Sequence, residues 1–376
     1  MKEIGIGLIG TGWMGRCHAW AFRGVSAVFD PAVRPRLESV CDVAPEMAEK
    51  TANDFGFPKW TTDWRDLIAD PAVDLISITA PNGLHKEMAV AAAEAGKAIY
   101  CEKPMALTLA DAEHMAEAAR KAGVKTLVGY NYIRNPAVEH ARKLVADGAI
   151  GDVAYFRGVY DEDYMADPAL PYTWRCRIAD AGTGTLGDLA CHLVSCAHHI
   201  LGPIASVCAD IETVQKQRPD PEKPGATGRV ENEDIAHALL RFESGIAGTL
   251  ASSRIAWGRK CGLGWEITGS KGSLLFDQER MNELKLFRAE GEPAQRGFTT
   301  VLTGPLHPPY QKFCPAPGHG LGFNDLKVME VGHLLRGLAG EEGLYPDFDA
   351  ALEIEQVIHG IVDSARQRKW VGVRAG

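Results

Sequence analysis

Residues 187 to 202 read GDLACHLVSCAHHILG, and this apolar stretch carries Asp188, Cys191, His192, Cys196, His198 and His199. These residue types do chemistry. A carboxylate near an imidazole moves protons near neutral pH, and cysteines with histidines bind metal. Each is costly to bury without a partner, so the stretch is a metal site, an acid–base pair, or a core helix with satisfied polar groups. At helical spacing 188, 192, 195 and 199 share one stripe, which makes Asp188 and His192 neighbours. Cys191 and His192 are adjacent, so they point about 100 degrees apart on a helix. Neither a C-x-x-C nor an H-E-x-x-H spacing occurs. The expectation is an acid–base pair with no metal, and with Cys191, Cys196 and His198 in the core.

A second stretch lies near the start. Gly10, Gly12 and Gly15 form G-x-G-x-x-G between the apolar run IGIGLIG and a helical one, with Trp13 and Met14 between the last two glycines. The first glycine permits a tight turn, the second lets a pyrophosphate approach the backbone, and the third lets helix and strand pack closely. N–H groups at the helix start then face the phosphates. Asp42 closes the next apolar run, RLESVCD, where a carboxylate holds ribose hydroxyls. No arginine follows it to meet a 2′-phosphate, so NAD is expected rather than NADP. The gap from Gly15 to Asp42 exceeds the usual spacing of about 20 residues, and VSAVFDPAVRPR reads as the insertion responsible.

A third stretch is YCEKPMALT. Glu102, Lys103 and Pro104 follow a strand-like run, at the carboxyl end where open parallel sheets bind ligands. A proline there ends the strand and restricts the chain, so Lys103 is either an aimed amine or a surface lysine beside a turn.

The elements that must position these residues alternate along the first third of the chain. The β-like runs IGIGLIG, RLESVCD, DLISITA, AIYCEK and VKTLVGY are separated by helical stretches, which implies βαβ units and a doubly wound parallel sheet. After about residue 150 the texture changes to alternating runs such as VAYFRGVY, DIAHALLRF and IAGTLASSRI, punctuated by turn-prone pairs, as in an antiparallel sheet. The expected fold class is α/β, with a Rossmann dinucleotide-binding domain over 1–128 and an α+β domain over 129–376 built on a large, mostly antiparallel open sheet. Residues 326–339 and 349–366 read as terminal helices, and QRPDPEKPGATG (217–228) as a Pro/Gly-rich surface loop.

Bulk properties agree. A chain of 376 residues exceeds one ordinary core. Its net charge of −9 argues against a general binder of phosphate backbones. The nine cysteines (17, 41, 101, 176, 191, 196, 208, 261, 314) are odd in number and scattered, the usage of a reduced cytoplasmic protein. The opening segment reads poorly as a signal peptide, and no run approaches the ~18 apolar residues of a membrane span.

These stretches together resemble the glucose-fructose oxidoreductase/inositol dehydrogenase/MocA family. The resemblance rests on GLIGTGWMGRCHAWAF, TAPNGLHKEMAVAAAEAGKAIYCEKPMALT, GDLACHLVSCAHHILG and ITGSKGSLLFD, and so spans nearly the whole chain. It implies that Lys103, Asp188 and His192 face the nicotinamide and the substrate alcohol, with His192 as base, Asp188 orienting it, and Lys103 hydrogen-bonding the reacting oxygen. By the same resemblance Asn82, His85 and Glu102 lie near the cofactor, Trp174 and Arg175 of YTWRC reach over nicotinamide and substrate, and Tyr132 and Glu162 rim the pocket. Many members carry an acidic residue three positions after the histidine; here Ser195 stands there. The segments RGFTTVLTGPLHPPY, GLGF and YTWRC are similar to those of members that oxidise anhydrosugars. They imply oxidation of one ring hydroxyl, at C3, of levoglucosan or a related pyranose. An inositol dehydrogenase, and a glycosidase that oxidises its sugar only transiently, are the alternatives. Partners implied are a small carbohydrate and further copies of the chain, as a dimer or tetramer through the second sheet, with neither nucleic acid nor membrane.

Overall fold

The computed structural model describes residues 2–373 and divides the chain into two compact units. The first unit comprises 1–131 and 322–352, and the second 132–321 and 353–376. The expected single break near 128 therefore misses a return. Residues 322–352 fold with the first unit because the helix they open buries Leu326, Met329, Val331, Leu334 and Leu335 there.

In the first unit, β1 (Lys2–Ile9), α1 (Trp13–Phe29), β2 (Val33–Cys41), α2 (Pro45–Phe55), β3 (Lys59–Thr61), α3 (Trp64–Ala69), β4 (Leu75–Ile78), α4 (His85–Glu94), β5 (Ala98–Cys101), α5 (Leu109–Ala122) and β6 (Thr126–Val128) follow one another. The sheet runs β3-β2-β1-β4-β5-β6 and every ladder is parallel. Helices on both faces explain why β4 and β6 are buried throughout rather than alternating. Local signals set the helix ends. Thr108 caps α5 by accepting from the Asp111 N–H, and Gly123 ends that helix in the left-handed region. The order of the strands reverses direction between β1 and β4, the switch point at which such sheets hold ligands.

The second unit contains α6 (Pro136–Ala146), β7 (Val153–Asp161), α7 (Ile178–Ala181), α8 (Cys191–Leu201), β8 (Ile204–Glu212), β9 (Gln217–Pro219), β10 (Thr227–Arg229), β11 (Ile235–Phe242), β12 (Ala247–Ser253), β13 (Gly262–Gly269), β14 (Gly272–Asp277), β15 (Glu283–Arg288) and β16 (Thr299–Leu302). After α9 (Phe323–Ala339), α10 (Phe348–Gln367) leads to β17 (Val371–Gly372). The sheet has nine strands, ordered β16-β15-β14-β13-β7-β12-β11-β8-β17, and only the β7–β12 ladder is parallel. Strand β11 shows why: Ala236, Ala238, Leu240 and Phe242 are buried while His237, Leu239 and Arg241 are exposed, the alternation of a sheet with one covered face. The helix α8 lies against that covered face. A Cβ on Gly158 of β7 would fall 2.8 Å from Leu193, so a glycine is what lets the helix approach. With residues 220–226 as the turn between them, the ends of the expected surface loop at 217–228 pair as the ribbon β9–β10. Arg218 fixes it, fully buried, by donating to the carbonyls of Met165 and Asp167. Among the described residues no helix is long and apolar enough to cross a membrane.

A buried polar network stitches the first unit together. Lys327 of α9 donates to Glu102 Oε1 at 2.5 Å and to Glu330 Oε2 at 2.9 Å, and Tyr100 also donates to Glu330. His18 of α1 bridges Ser77 of β4 and Glu102, at 2.8 Å each. A Cβ at Gly129 would lie 2.6 Å from Glu102 Oε1, so a glycine there leaves the carboxylate its space. Burial works against the Lys327 ammonium, yet Glu102 and Glu330 outweigh it and hold the amine above its usual range. Burial would also raise Glu102, but Lys327 and His18 hold it well below the carboxylate range. Burial lowers His18 to about 4 against the pull of Glu102. A neutral imidazole satisfies both neighbours, with Nε2–H donating to the carboxylate and Nδ1 accepting from the Ser77 hydroxyl.

Two outcomes follow from this network. Lys327→Met leaves two carboxylates buried without their cation, and chemical denaturation should show the first unit destabilised by about 3–5 kcal/mol. His18 has a depressed folded value, so the unfolded chain binds the extra proton; its contribution is complete above about pH 6.5 and is lost as pH falls toward 4. That loss amounts to about 3 kcal/mol, and in His18→Gln the slope of unfolding free energy between pH 6.5 and 4.5 should flatten, whereas Glu102 contributes only below that window.

Candidate active site

The glycine loop caps β1 of the first unit. Gly10 has φ +92°, and a Cβ there would sit 2.7 Å from the Thr79 carbonyl oxygen. At Gly15 it would sit 2.1 Å from the Gly10 oxygen. Packing of the protein itself therefore demands these two glycines. Gly12 differs: a Cβ there would meet nothing within 4 Å, so what its missing side chain keeps open is room for a ligand at the start of α1. The first turn of α1, with Met14, carries no acidic residue and no side-chain cap, leaving its N–H groups for an anion. Asp42 follows β2, with Oδ2 accepting from the Thr11 N–H at 2.9 Å and hydroxyl at 2.6 Å, and Oδ1 from the Ala44 N–H at 3.1 Å. Val43 beside it is 87% exposed, and neither it nor Ala44 carries a charge to receive a 2′-phosphate. The residues present fit NAD.

The extra length before Asp42 is partly helix rather than insertion, since Val25–Phe29 complete α1. Trp13 is exposed and stacks on Phe323 at 5.0 Å. Phe323 was invisible to local reading because it arrives from α9, far along the chain.

Around the ends of β4 and β5, Lys103 is half-buried and its backbone N–H donates to Glu102 Oε2 at 3.3 Å. The Glu102 carboxylate is turned inward to Lys327 and His18, beneath the turn that carries Lys103. His85 is also enclosed, with Nδ1 3.0 Å from the Pro104 oxygen and Nε2 2.9 Å from the Ala80 oxygen. It ties the turn after β4 to the turn that carries Lys103, a different use from the cofactor contact expected. Asn82 is half-buried and opens the 3-10 turn Asn82–Leu84. Asn131, which the sequence reading passed over, is 2% exposed just after β6, and its Nδ2 has no hydrogen-bond partner among the described residues. A buried donor of this kind calls for an acceptor, and a bound dinucleotide offers them.

In the second unit Asp188 and His192 flank a junction. Leu186–Ala190 forms a π-turn, and α8 proper begins at Cys191. The π-turn sets Asp188 just ahead of the α-helical repeat that carries His192. Such turns recur at functional sites. The Asp188 carboxylate accepts from the Tyr164 hydroxyl at 2.6 Å. The His192 ring is 5% exposed, with centroids 4.4 Å from Tyr132 and 6.2 Å from Tyr160. The two phenols approach each other at 3.4 Å, each lies 3.5 Å from Cys261 Sγ, and Tyr160 donates to Glu162 at 2.9 Å. Tyr132 packs directly on the histidine ring, and Glu162 is linked to it only through Tyr160. Tyr160, Tyr164 and Cys261 were not among the residues the sequence singled out.

The other polar residues of the 187–202 stretch are satisfied in the core. Cys191 donates to the Gly187 oxygen, Ser195 to the His192 oxygen at 2.7 Å, and His198 Nε2 accepts from the Ile204 N–H at 3.2 Å. His199 pairs with Glu139 of α6 at 3.1 Å. Among the described residues no group of three or more His, Cys, Asp or Glu is placed to hold a metal ion.

Trp174 and Arg175 form a 3-10 turn with the guanidinium 4.4 Å above the indole. The run Glu231–Asp234 anchors this region. Glu231 accepts from Ile178 N–H at 2.9 Å, Asn232 donates to the Arg175 oxygen at 2.9 Å, and Glu233 accepts from the N–H groups of Gly184 and Leu186 at 2.7 and 3.0 Å. Asp234 accepts from buried Arg254 at 2.8 Å.

Comparison with known proteins matches both units. The oxidoreductase family model with an NAD-binding Rossmann fold covers residues 4–130, and the GFO/IDH/MocA C-terminal domain model covers 138–275. The levoglucosan dehydrogenase of Pseudarthrobacter phenanthrenivorans is 36% identical, over 99% of this chain and 99% of that protein. Among solved structures, a levoglucosan dehydrogenase in complex with NADH and L-sorbose superposes with a TM-score of 0.96 at 36% identity, and an NAD binding oxidoreductase from Klebsiella pneumoniae with 0.95 at 43%, each covering 100% of both chains. With the glycine loop, the lysine turn and the Asp–His segment all standing inside the matched regions, the chain belongs to the Gfo/Idh/MocA family of NAD-binding oxidoreductases.

Proposed function

We propose that the protein oxidises one ring hydroxyl, at C3, of levoglucosan or a closely related pyranose to the keto sugar. The observation that carries the reaction type is the setting of His192, an imidazole enclosed by Tyr132 and Tyr160 with a hydrogen-bonded carboxylate, Asp188, four residues before it. The substrate class rests on the full-length likeness to levoglucosan dehydrogenase.

Oxidising an alcohol removes a proton from oxygen and a hydride from carbon. NAD, when bound, supplies the hydride acceptor. Gly10, Gly12, Trp13, Met14, Gly15 and Asp42 are the residues that would hold it, by backbone N–H groups at α1 and by the Asp42 carboxylate. His192 takes the hydroxyl proton at a ring nitrogen, and Asp188 orients the imidazole and favours its protonated form. Lys103 donates to the reacting oxygen, which stabilises negative charge as the proton leaves. Tyr160 and Glu162 present a phenol and a carboxylate of the kind that hydrogen-bond sugar hydroxyls, and the Tyr132 ring offers an apolar face.

Purified enzyme with NAD, tested on levoglucosan, glucose, alkyl glucosides and inositols, should form NADH steadily with levoglucosan or a near relative. His192→Ala should lower kcat by about 100-fold or more, the usual worth of general-base catalysis, while NADH still binds. Turnover of inositols alone would move the substrate class, and aglycone release without net NADH would make the protein a redox-recycling glycosidase. For the cofactor, Asp42→Ser should raise KM for NAD about 10- to 100-fold, the loss of hydrogen bonds to a charged group, and narrow the preference over NADP.

A further inference from the structure

Tyr164 follows β7, and its hydroxyl is 2.6 Å from Asp188 Oδ2, the ordinary length for a hydroxyl donating to a carboxylate. The ring cannot easily leave. It packs on the small apolar cluster of Met165, Cys176 and Val230, together with Tyr172 and Ile255. The main chain beneath Asp188 is fixed independently. Glu233 accepts from the N–H groups of Gly184 and Leu186, the Thr185 N–H donates to the Glu233 carbonyl at 3.0 Å, and the Thr185 hydroxyl meets that of Ser252 at 2.7 Å. A Cβ on Gly184 would fall 2.0 Å from the same Glu233 carbonyl oxygen, so the turn has no slack on that side. The carboxylate of Asp188 is thus held from one side by its backbone and from the other by a phenol.

We propose that Tyr164 is a positioning residue for the oxidation, its hydroxyl fixing the Asp188 carboxylate in the orientation from which Asp188 serves His192. The inference rests on the reading of Asp188 as part of the proton-handling pair. Burial and the Asp188 carboxylate raise the phenol well above its usual range, so Tyr164 keeps its proton at every working pH and acts as a donor only. The charged groups near this hydroxyl are Asp188, Arg254 and Arg175. Glu233 lies under the turn, where burial raises its carboxyl, and His192 follows on α8. A phenol retained merely to fill space would be replaceable by phenylalanine without a kinetic signature. One that orients a carboxylate would not.

The test is a double-mutant cycle of Tyr164→Phe and Asp188→Asn, read by NADH formation with the sugar that the panel above turns over, across pH. The ring and its packing survive in Tyr164→Phe, so the thermal transition should stay in place. Its kcat should fall about 10- to 100-fold with KM for NAD unchanged, and the acid limb of the profile, set by His192, should move to lower pH, because a misoriented Asp188 no longer favours the imidazolium. In the Asp188→Asn background the same change should cost little more, since the two groups act as one unit. Wild-type rate and profile in Tyr164→Phe, with Asp188→Asn impaired, would overturn the inference and leave the reading of Asp188 standing. An equal loss from Tyr164→Phe in both backgrounds would also overturn it. Full activity in Asp188→Asn would overturn that reading and the inference with it.

Discussion

The ammonium of Lys327, enclosed between Glu102 and Glu330, is the interaction on which the first unit turns. Removing an ion pair from water costs free energy that mutual attraction alone often fails to recover, so its retention calls for a reason beyond stability. Its geometry supplies one. Glu102 immediately precedes Lys103, receives the Lys103 backbone N–H, and is gripped by His18 from the helix that begins at the glycine loop. One carboxylate therefore links the cofactor helix, the end of β5 and the late-arriving helix α9. His85 adds a second tie, through backbone oxygens, between the turns after β4 and β5. The turn that presents Lys103 is set by neighbours on every side, whereas an exposed turn lysine would sample many positions.

The second unit solves the same problem with different parts. Four consecutive residues, Glu231 to Asp234, each pin a different backbone or side-chain group of the segment that carries Arg175, Ile178 and the π-turn, or of Arg254 beside it. This run precedes a strand of the large sheet, so the rigidity of the sheet is passed to a stretch that otherwise has little regular structure. The π-turn then delivers Asp188, and the packed helix α8 delivers His192 against Tyr160 of β7 and Tyr132 of the turn before α6. Irregular backbone is tolerated where the surroundings determine it so fully.

Much of this was legible in the chain. The parallel strands announced themselves as apolar runs separated by helical stretches, and Gly10, Gly12 and Gly15 carried their purpose in their spacing, because each glycine has a distinct steric task. The bland reading of Cys191, Cys196 and His198 as core was sound, since a buried helix needs its polar groups satisfied locally. The reading failed where partners are distant or helical repeat changes. Arg218 turned an apparent loop into a ribbon because two carbonyls some fifty residues earlier in the chain accept from it. The π-turn was not legible, because nothing in residue type marks an added residue in a helix.

The sequence by itself determined which elements form and which residue types stand at strand ends and helix starts, because hydrophobic periodicity, glycine sterics and proline act over a few residues. It also determined the family, through motifs that extend along nearly the whole chain. Only the tertiary structure decided that residues 322–352 return to the first unit, that Glu102 and His85 face inward as supports, and that Tyr164 holds Asp188. Those outcomes depend on hydrogen bonds between groups far apart in the chain, whose strength comes from shared burial and direction, and neither property exists until the chain has folded.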